Sequence, residues 1–498
     1  MLRHLSKTGW IVSCLILFTF STSCSSSQTD DDLPAQIQRV ENGLLTYHAV
    51  TGEPAHTIED RMRYYNVPGV SVAVIENGEL LWARGWGETE AGSGVAVDSE
   101  TLFQAASISK PVASAGALRL VEKGYLNLDE DVNGLLQSWK VPENGFTLTE
   151  KVTLRRLLSH SAGTNVHGFP GYAEGEAVPS VIELLSGEEP SNTEAVQVHS
   201  TPGSGWRYSG GGTTIMQLLM ADVTGRSFEE IMQKEVLEPI GMIHSTFSQP
   251  LTEEFGAEAA TGHLGDGTPL EGRYHTYPEQ AAAGLWTTPS DLAHFAIDIQ
   301  NAYKGAEGHT LSPEMARTMM ATEAGSWGLG FSIDSVDGRD FRFSHGGSNA
   351  GFKAYFTMMA NQGLGAVIMT NGDQGTDLGM EILRAIAHEY DLPGYEPIVR
   401  TAITLEEKQL SSYTGRYYVT GQDGSLQFMM ELRIEDNTLL ADVPSVGWQG
   451  KELRAESEST HFFIDNRGEL TFQHNEEGEV ISVAITNLGP PLILEPRR

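Results

Sequence analysis

A β-hairpin signal and a later run of strand patterns bracket a long helical stretch, and this order constrains the fold more than any other feature. The segment GVSVAVIENGELLWARGWGE (69–88) contains two β-rich runs separated by Asn77-Gly78. Asn-Gly between such runs is the strongest short hairpin signal, because both residues tolerate the positive φ angles of a tight turn. Two antiparallel strands are therefore expected near the start of the chain.

Further strand patterns come much later and follow one another closely. They are GLGFSIDS (328–335), DFRFSHGG (340–347), FKAYFTMMAN (352–361) and GLGAVIMTNGD (363–373). Short connections between strands require antiparallel pairing. Helical patterns cover about 33–66, most of 125–240 and 377–390, so the fold class is α+β. We expect an α/β sandwich: an antiparallel sheet flanked by helices from both ends of this region, with a mostly helical subdomain.

The residue pattern of the chain changes from about residue 401. Short alternating runs such as YTGRYYVT, SLQFMMELRIED and VISVAITN are separated by turn residues. This pattern predicts a separate small all-β domain over 401–498, either a barrel or a sandwich. The main domain is placed at 33–395, and 498 residues are enough for two or three domains.

The N-terminus has the layout of a secretory signal peptide, predicted over 1–23. Basic residues precede the apolar run 10–20, which is too short to span a bilayer, and small residues follow it. Cys24 begins a polar linker (24–32) and resembles the lipidated cysteine of bacterial lipoproteins, although Ser21 stands where that motif usually has leucine. We expect an exported, lipid-anchored protein, periplasmic or at the cell surface; an ordinary signal peptide with a released product is the alternative.

Net charge and cysteine count exclude several classes of function. The formal charge of −34 argues against binding nucleic acid or an anionic membrane surface through a basic field, so the lipid anchor is the expected membrane contact. Both cysteines, Cys14 and Cys24, lie near the signal, which leaves no cysteine metal site or disulfide framework in the mature chain. No Gly-rich phosphate loop follows a strand, and we predict no metal and no cofactor.

In FQAASISKPVASAGALRLVEKG (103–124), Lys110 is the only charged residue before Arg119, and most of its neighbours are small or apolar. On a helix, Ser107 and Lys110 lie on one face, whereas Ser109 points elsewhere. A serine nucleophile needs a base, and a lysine can serve when burial favours its neutral form. Pro111 belongs in a first helical turn, which puts Ser107 at the positive end of the helix, where a developing oxyanion is stabilised. Ser-x-x-Lys alone is nevertheless a common chance pattern.

Two further motifs follow in order, Tyr208-Ser209-Gly210 and His345-Gly346-Gly347. With Ser-x-x-Lys they make 60–393 resemble the serine β-lactamase-like family, especially its class C β-lactamase, D-alanyl-D-alanine carboxypeptidase and esterase group. The segments LLSHSAGT (157–164), EPIGMIHSTF (238–247) and AAGLWTTPSDLAHF (282–295) resemble it as well.

The resemblance implies a role for each matching residue. Ser107 is the acylated nucleophile, and Lys110 with Tyr208 forms its base, through either a tyrosinate or a neutral lysine. The backbone N–H groups of Ser107 and Ser348 form the oxyanion hole, with Gly346 and Gly347 allowing close approach of the strand. His345 adjusts the charge of the site or holds a substrate carboxylate or carbonyl. His160, in contrast, is interpreted as structural.

The second motif departs from the family pattern, because Gly210 stands where β-lactamases and penicillin-binding proteins have asparagine. The expected function is therefore an exported serine hydrolase, esterase or D-amino-acid peptidase-like, that acts on a small-molecule or peptide substrate such as a cell-wall peptide, an ester or a β-lactam. One alternative is a penicillin-binding D,D-carboxypeptidase or β-lactamase. Another is a catalytically silent binding protein on the same fold.

Overall fold

The computed structural model describes residues 32–336, 338, 340–420, 426–446 and 448–496. The predicted signal peptide and Cys24 lie outside these residues. The helices are α1 Leu33–Glu41, α2 Ile58–Tyr64, α3 Ser109–Glu122, α4 Leu154–Leu158, α5 Val181–Ser186, α6 Gly210–Thr224, α7 Phe228–Met232, α8 Glu238–Ile240, α9 Glu253–Gly256, α10 Gln280–Ala283, α11 Pro289–Tyr303, α12 Pro313–Met320, α13 Gly375–Tyr390 and α14 Glu407–Tyr413. Shorter 3₁₀ segments cover Ala106–Ile108, Val132–Gly134 and Pro444–Val446, and a π-helical segment covers Gln233–Leu237.

The strands form a large sheet, a barrel and two small pairs. They are β1 His48–Val50, β2 Gly69–Glu76, β3 Glu79–Gly87, β4 Phe103–Gln104, β5 Trp286–Thr287, β6 Ser332–Val336, β7 Asp340–Asn349, β8 Phe352–Met359, β9 Gly365–Thr370, β10 Ile398–Arg400, β11 Gly415–Thr420, β12 Leu426–Glu435, β13 Thr438–Val443, β14 Trp448–Ala455, β15 Thr460–Phe463, β16 Glu469–His474, β17 Val480–Thr486 and β18 Leu492–Pro496.

The large sheet has six strands in the order β3-β2-β9-β8-β7-β6, and every neighbouring pair is antiparallel. The predicted α+β class is confirmed. The β2–β3 turn is the predicted one, with φ of 54° at Asn77 and 76° at Gly78. Two consecutive positive φ angles are what a type I′ hairpin turn requires, which is why Asn-Gly was an informative signal.

Strand β2 is buried on both faces because the sheet lies between two layers of helix. Val70, Val72 and Val74 pack in one apolar cluster with helices α1, α2 and α13. Ala73 and Ile75 point the other way, into a larger cluster with α3, α6 and α11. The period of two along the strand therefore separates a terminal-helix layer from the helical region between β3 and β6.

The helix predicted over 33–66 is wrong as a continuous element. It is divided into α1, β1 and α2, and the break begins after Glu41. A Cβ at Gly43 would lie 2.5 Å from the carbonyl oxygen of Arg39, and Gly52 has a φ of 89°. Apolar residues at helical spacing were present on both sides of these glycines, but tight packing and turn geometry override the periodicity.

The C-terminal strands form a closed barrel, which resolves the predicted choice between barrel and sandwich. β11 to β18 pair in sequence order, and β18 returns to β11. Its interior is a separate apolar cluster that includes Tyr417, Met430 and Phe472. Closure leaves no strand edge exposed, so the barrel strands make their backbone hydrogen bonds with one another.

The barrel contacts the terminal-helix layer through buried ions. The Arg61 guanidinium on α2 donates to Glu381 on α13 at 2.7 Å and to Asp465 in the barrel at 3.1 Å. Lys451 of the barrel pairs with Asp377 on α13. Helix α13 therefore packs against the sheet on one side and is bound to the barrel on the other.

None of the helices among the described residues combines the length and apolarity needed to cross a bilayer. No cluster of three or more His, Cys, Asp or Glu side chains suited to a metal ion occurs among those residues.

Candidate active site

Ser107 and Lys110 lie one helical turn apart at the start of α3. Ser107 belongs to the 3₁₀ turn Ala106–Ile108, which runs directly into the helix. Lys110 Nζ donates to Ser107 Oγ at 3.0 Å and to the carbonyl oxygen of Ala282 at 2.8 Å. Only 3% of Lys110 is exposed, so its charge lies in a largely dry setting. This geometry is the one that the Ser-x-x-Lys spacing predicted.

Ser109 has a different environment from Ser107. Its hydroxyl donates to the carbonyl oxygen of Ala106 at 2.6 Å and accepts the N–H of Leu285 at 2.9 Å. Both hydrogen bonds hold the turn that carries Ser107. Ala106 adopts a φ of 49°, which a residue with a Cβ rarely does, so this turn depends on the packing around it.

Tyr208 lines the same cleft and immediately precedes Ser209, the N-cap residue of α6. Ser209 caps α6, since its hydroxyl accepts the N–H of Gly212 at 3.0 Å. The centroid of the Tyr208 ring lies 5.0 Å from Lys110 Nζ and 4.4 Å from the centroid of the His160 ring. The cap fixes the backbone and the neighbouring rings fix the side chain, so Tyr208 is held beside Lys110.

Gly210 is the first residue of α6 and leaves no room for a side chain. A Cβ there would lie 2.8 Å from Cε2 of Phe169 and 3.2 Å from the carbonyl oxygen of His167. The Phe169 ring therefore fills the space beside Tyr208 into which an asparagine would project. The glycine that replaces the family's asparagine is therefore accompanied by a large ring in the same space.

Strand β7 brings the third motif to Ser107. β7 pairs with β8 over 342–349, but with β6 only over 340–344. The free edge beyond residue 344 packs against the Ser107 turn, and a Cβ at Gly347 would overlap the carbonyl oxygen of Ala105. The expectation of close approach holds at Gly347 but not at Gly346, whose nearest neighbour would be 3.6 Å away. Ser348 follows in the lining of the cleft.

His345 is buried and neutral. Burial, with the charge of Lys110 as the next cause, lowers the pKa of His345 to about 3. Its Nδ1 donates to the carbonyl oxygen of Gly346 at 2.6 Å, which leaves Nε2 as an acceptor. No described residue hydrogen-bonds to Nε2. His345 therefore contributes a neutral side chain to the wall of the cleft, not a positive charge, and its buried Nε2 is an unused acceptor.

His160 supports Tyr208 from behind. It is 4% exposed, and its Nδ1 accepts the N–H of Ser209 at 3.3 Å. Burial, followed by the charge of Lys110, holds the pKa of His160 well below its usual range. The sequence reading of His160 as structural agrees with this backbone contact, but it did not foresee the ring contact with Tyr208.

Sequence reasoning missed the aromatic wall of the cleft. Trp206 and Trp327 pack together with ring centroids 5.6 Å apart, and both face Tyr208. The indole Nε1 of Trp327 is buried with no hydrogen-bond partner among the described residues. Trp206 stands two residues before Tyr208, a signal that sequence could have supplied; Trp327 lies far from any motif, and nothing local marked it.

Glu279 was missed as well. It precedes α10, and its carbonyl oxygen accepts the N–H of Ala282, whose own carbonyl binds Lys110. Its side chain is fully buried, and neither carboxyl oxygen has a hydrogen-bond partner in the part of the chain described. Burial raises the pKa of Glu279 to about 8, against the attraction of Lys110. At neutral pH this carboxyl is mostly protonated.

These residues enclose a cleft of about 600 Å³. Its lining comprises Ser107, Lys110, Tyr208, the segment 345–349, the aromatic wall and residues of β8 and α13. A volume of this size accommodates a small molecule or a short peptide segment. The three sequence motifs thus converge on one concave site.

Comparison with known proteins agrees with this architecture. The beta-lactamase family model matches residues 55–390. Protein flp of Staphylococcus aureus strain N315 is 24% identical over 329 residues, covering 63% of this chain. The chain spans 61% of the length of that relative. Penicillin-binding protein 4 of Amycolatopsis lactamdurans is 25% identical over 341 residues, which are 65% of this chain and 86% of that protein.

Two solved structures share the fold over most of the chain. The octameric penicillin-binding protein homologue from Pyrococcus abyssi has a TM-score of 0.59 at 20% identity, covering 88% of this chain and 98% of its own. SurE with D-Leu has a TM-score of 0.54 at 19% identity, covering 88% and 97%. Since the family model extends from α2 to the end of α13 and so includes all three motifs, the chain belongs to the beta-lactamase family, a group of serine hydrolases.

Proposed function

We propose that this protein is an exported, lipid-anchored serine hydrolase that cleaves ester or amide bonds through an acyl-enzyme on Ser107. The observation that carries the proposal is the 3.0 Å contact between Lys110 Nζ and Ser107 Oγ, with Tyr208 in the same cleft. A hydroxyl becomes a useful nucleophile when a base is within hydrogen-bond reach, and this pair meets that condition.

In the proposed reaction, Ser107 Oγ attacks the substrate carbonyl and its proton passes to the Lys110–Tyr208 pair. Either a tyrosinate stabilised by the lysine cation or a neutral lysine accepts it. The N–H groups of Ser107 and Ser348 would stabilise the oxyanion, which the close approach of Gly347 to Ala105 supports. Tyr208 would then protonate the leaving group and activate water for deacylation.

The proposal is tested by labelling the mature protein with a fluorescent fluorophosphonate. Labelling is expected in the wild type and in Ser411→Ala, and not in Ser107→Ala. Ser411→Ala is the control because it removes an exposed serine hydroxyl on α14 that does not line the cleft. Absence of labelling in a folded wild type, or labelling retained in Ser107→Ala, would overturn the proposal and favour a silent binding protein.

A penicillin-binding D,D-carboxypeptidase or β-lactamase is the second candidate. It is favoured by the name of the Amycolatopsis relative and by the D-Leu in the SurE structure. Gly210 and the ring of Phe169 that packs against it argue for an esterase or peptidase instead. A fluorescent penicillin distinguishes these candidates: stable labelling at Ser107 indicates a penicillin-binding protein, whereas labelling by the phosphonate alone indicates the esterase or peptidase.

Export and lipidation form a separate part of the proposal and depend on the N-terminal sequence. We expect the mature protein to be periplasmic or at the cell surface, attached by a lipid on Cys24. Cys24→Ser should move it from the membrane fraction to the soluble fraction, while Cys14→Ser should not. An unchanged distribution of the Cys24 variant would contradict the lipid anchor and leave the hydrolase proposal untouched.

A further inference from the structure

We propose that Asn349 is a positioning residue that holds the end of β7 against the segment carrying Ser107, and so sets the distance between the two oxyanion donors. The inference rests on the acyl transfer proposed above and names the side chain that assembles its oxyanion hole. Asn349 directly follows Ser348 and is 5% exposed. The three sequence motifs do not include it.

The two proposed oxyanion donors come from different parts of the chain. Ser107 and Lys110 lie on one continuous turn and helix, so the contact between their side chains is set locally. Ser348 lies on β7, which reaches the site from a distant part of the sequence. The N–H of Ser348 can act together with that of Ser107 only when β7 is held at a fixed distance from the Ser107 turn.

Backbone pairing holds only one edge of this part of β7. Strand β8 pairs with β7 over 342–349, whereas β6 pairs with it only over 340–344. Beyond residue 344 the other edge faces the Ser107 turn, and Gly347 lies close to the carbonyl oxygen of Ala105. This steric contact sets the smallest distance between the two segments, but it does not prevent them from separating. An attraction across the same gap is needed to fix the distance.

The carboxamide of Asn349 supplies this attraction. Its Nδ2 donates to Oε1 of Gln104 at 2.7 Å and to the carbonyl oxygen of Ala283 at 3.1 Å. Gln104 lies on β4, which leads into the Ser107 turn. Ala283 is the last residue of α10, the helix that also binds Lys110 Nζ through a carbonyl oxygen. One side chain therefore connects β7 to the segment of the nucleophile and to the helix that holds its base.

Backbone acceptors on both sides fix the orientation of the two amides. A carbonyl oxygen only accepts hydrogen bonds, so the NH₂ group of Asn349 must face Ala283. Gln104 Nε2 donates to the carbonyl oxygen of His275 at 2.8 Å, which turns its Oε1 toward Asn349. Gln104 is 1% exposed. Rotating either amide by half a turn would place an acceptor against an acceptor in a buried setting, so the bridge has one stable arrangement.

Asn371 provides a matched control elsewhere in the same sheet. It is fully buried, and its Nδ2 donates to the carbonyl oxygens of Glu88 at 3.2 Å and Thr89 at 3.0 Å. It directly follows β9, which β8 separates from β7, and it does not line the cleft. Asn371→Leu therefore removes at least as many buried hydrogen bonds as Asn349→Leu, but none beside Ser107.

The test measures urea unfolding of both variants and their kcat and KM for 4-nitrophenyl hexanoate. Asn349→Leu should lower kcat by at least about tenfold and change KM by less than about threefold, because a displaced oxyanion donor acts in the transition state. Asn371→Leu should keep the wild-type kcat per folded molecule. An equal loss of kcat in both variants would overturn the inference. So would a raised KM with unchanged kcat in Asn349→Leu, which would make Asn349 a substrate contact.

A double-variant cycle tests the bridge itself. Gln104→Met removes the acceptor on β4, so combining it with Asn349→Leu should lower kcat no further than the slower of the two single variants. Losses that multiply in full would show that the two side chains act separately, which contradicts the bridge. If Asn349→Leu does not fold, Asn349→Ser replaces it; a hydroxyl has one hydrogen to donate, so it cannot serve both acceptors, and the same loss of kcat is expected.

Fluorophosphonate labelling of the wild type, measured in parallel, separates the two proposals. Absence of labelling in the folded wild type would reject the hydrolase proposal and this inference with it. Labelling of the wild type together with an unchanged kcat in the Asn349 variant would reject the positioning role alone.

Discussion

Buried charge is arranged differently at the barrel junction and in the cleft. At the junction, Arg61 lies within 3.1 Å of both Glu381 and Asp465, and Tyr65 adds a hydrogen bond of 2.7 Å to Glu381. In the cleft, Lys110 has no carboxylate within ion-pair distance among the described residues, and behind the lining the buried side chain of Glu279 has no hydrogen-bond partner among them. A paired ion is locked in one protonation state, whereas an unpaired one can exchange a proton at modest cost. The first arrangement holds elements together, and the second suits proton transfer.

The largest expected effect concerns the unpaired lysine. Lys110→Met should lower kcat/KM for a neutral ester by about 10²–10⁴-fold, the range typical of losing a general base. Because it removes an unpaired buried charge, it should leave the free energy of unfolding unchanged or higher. Ester kinetics and urea unfolding on the same samples test this. A variant that loses both activity and stability would contradict the contrast between the two regions.

The junction should respond in the opposite way. Arg61→Leu leaves Glu381 buried without its cation and leaves Asp465 with Lys451 alone, 3.6 Å away, and should cost about 3–5 kcal/mol of unfolding free energy. Phosphonate labelling per folded molecule should be unchanged. Arg416→Leu, which removes an exposed pair with Glu431 on the barrel surface, is the control and should leave the urea midpoint unaltered. Equal effects of the two variants would mean that the buried network carries no special stability.

The pH dependence of the unfolding free energy distinguishes the buried, unpaired carboxyl of Glu279 from the paired carboxylates of the junction. The folded-state pKa of Glu279, about 8, lies above the ordinary 4.5, so the native state holds the proton more tightly than the unfolded state. Its contribution to stability is full below pH 4.5 and is lost as pH rises through 8. Glu279→Gln cannot ionise, so its stability should gain about 2–4 kcal/mol relative to wild type between pH 5 and pH 9. Parallel stability–pH curves for the two proteins would show that Glu279 is not a buried, unpaired acid.

The smallest expected change concerns the neutral packing of the cleft. Gly210→Asn should give no gain in hydrolysis of a chromogenic cephalosporin, because the Phe169 ring lies where the new side chain would project. Phe169→Ala combined with Gly210→Asn should give a larger rate than either single variant. If Gly210→Asn alone raises the rate as much as the double variant, the space beside Tyr208 is not limited by Phe169.

Much of the framework was predictable because it depends on local signals. Asn77-Gly78, the strand runs after residue 328 and the Ser107–Lys110 spacing each encode geometry within a few residues. The structure has the hairpin, the antiparallel sheet and the one-turn contact where these signals indicated them. The failure over 33–66 has a local cause too, since Gly43 and Gly52 interrupt an otherwise helical pattern.

By itself, the sequence determined the Asn77-Gly78 hairpin, the antiparallel run of later strands, the presence of a β-rich C-terminal unit and the three motifs, because chain connectivity and residue spacing limit those outcomes. The pairing of β2 with β9, which joins the hairpin to the later strands, was decided by the tertiary structure. Only the tertiary structure decided the electrostatics of the cleft. Whether His345 and Glu279 are charged depends on burial and on which groups approach from distant segments. Trp327 likewise joins the wall from a segment with no motif of its own. Desolvation and pairing arise from the whole packed molecule, so residue types alone do not specify them.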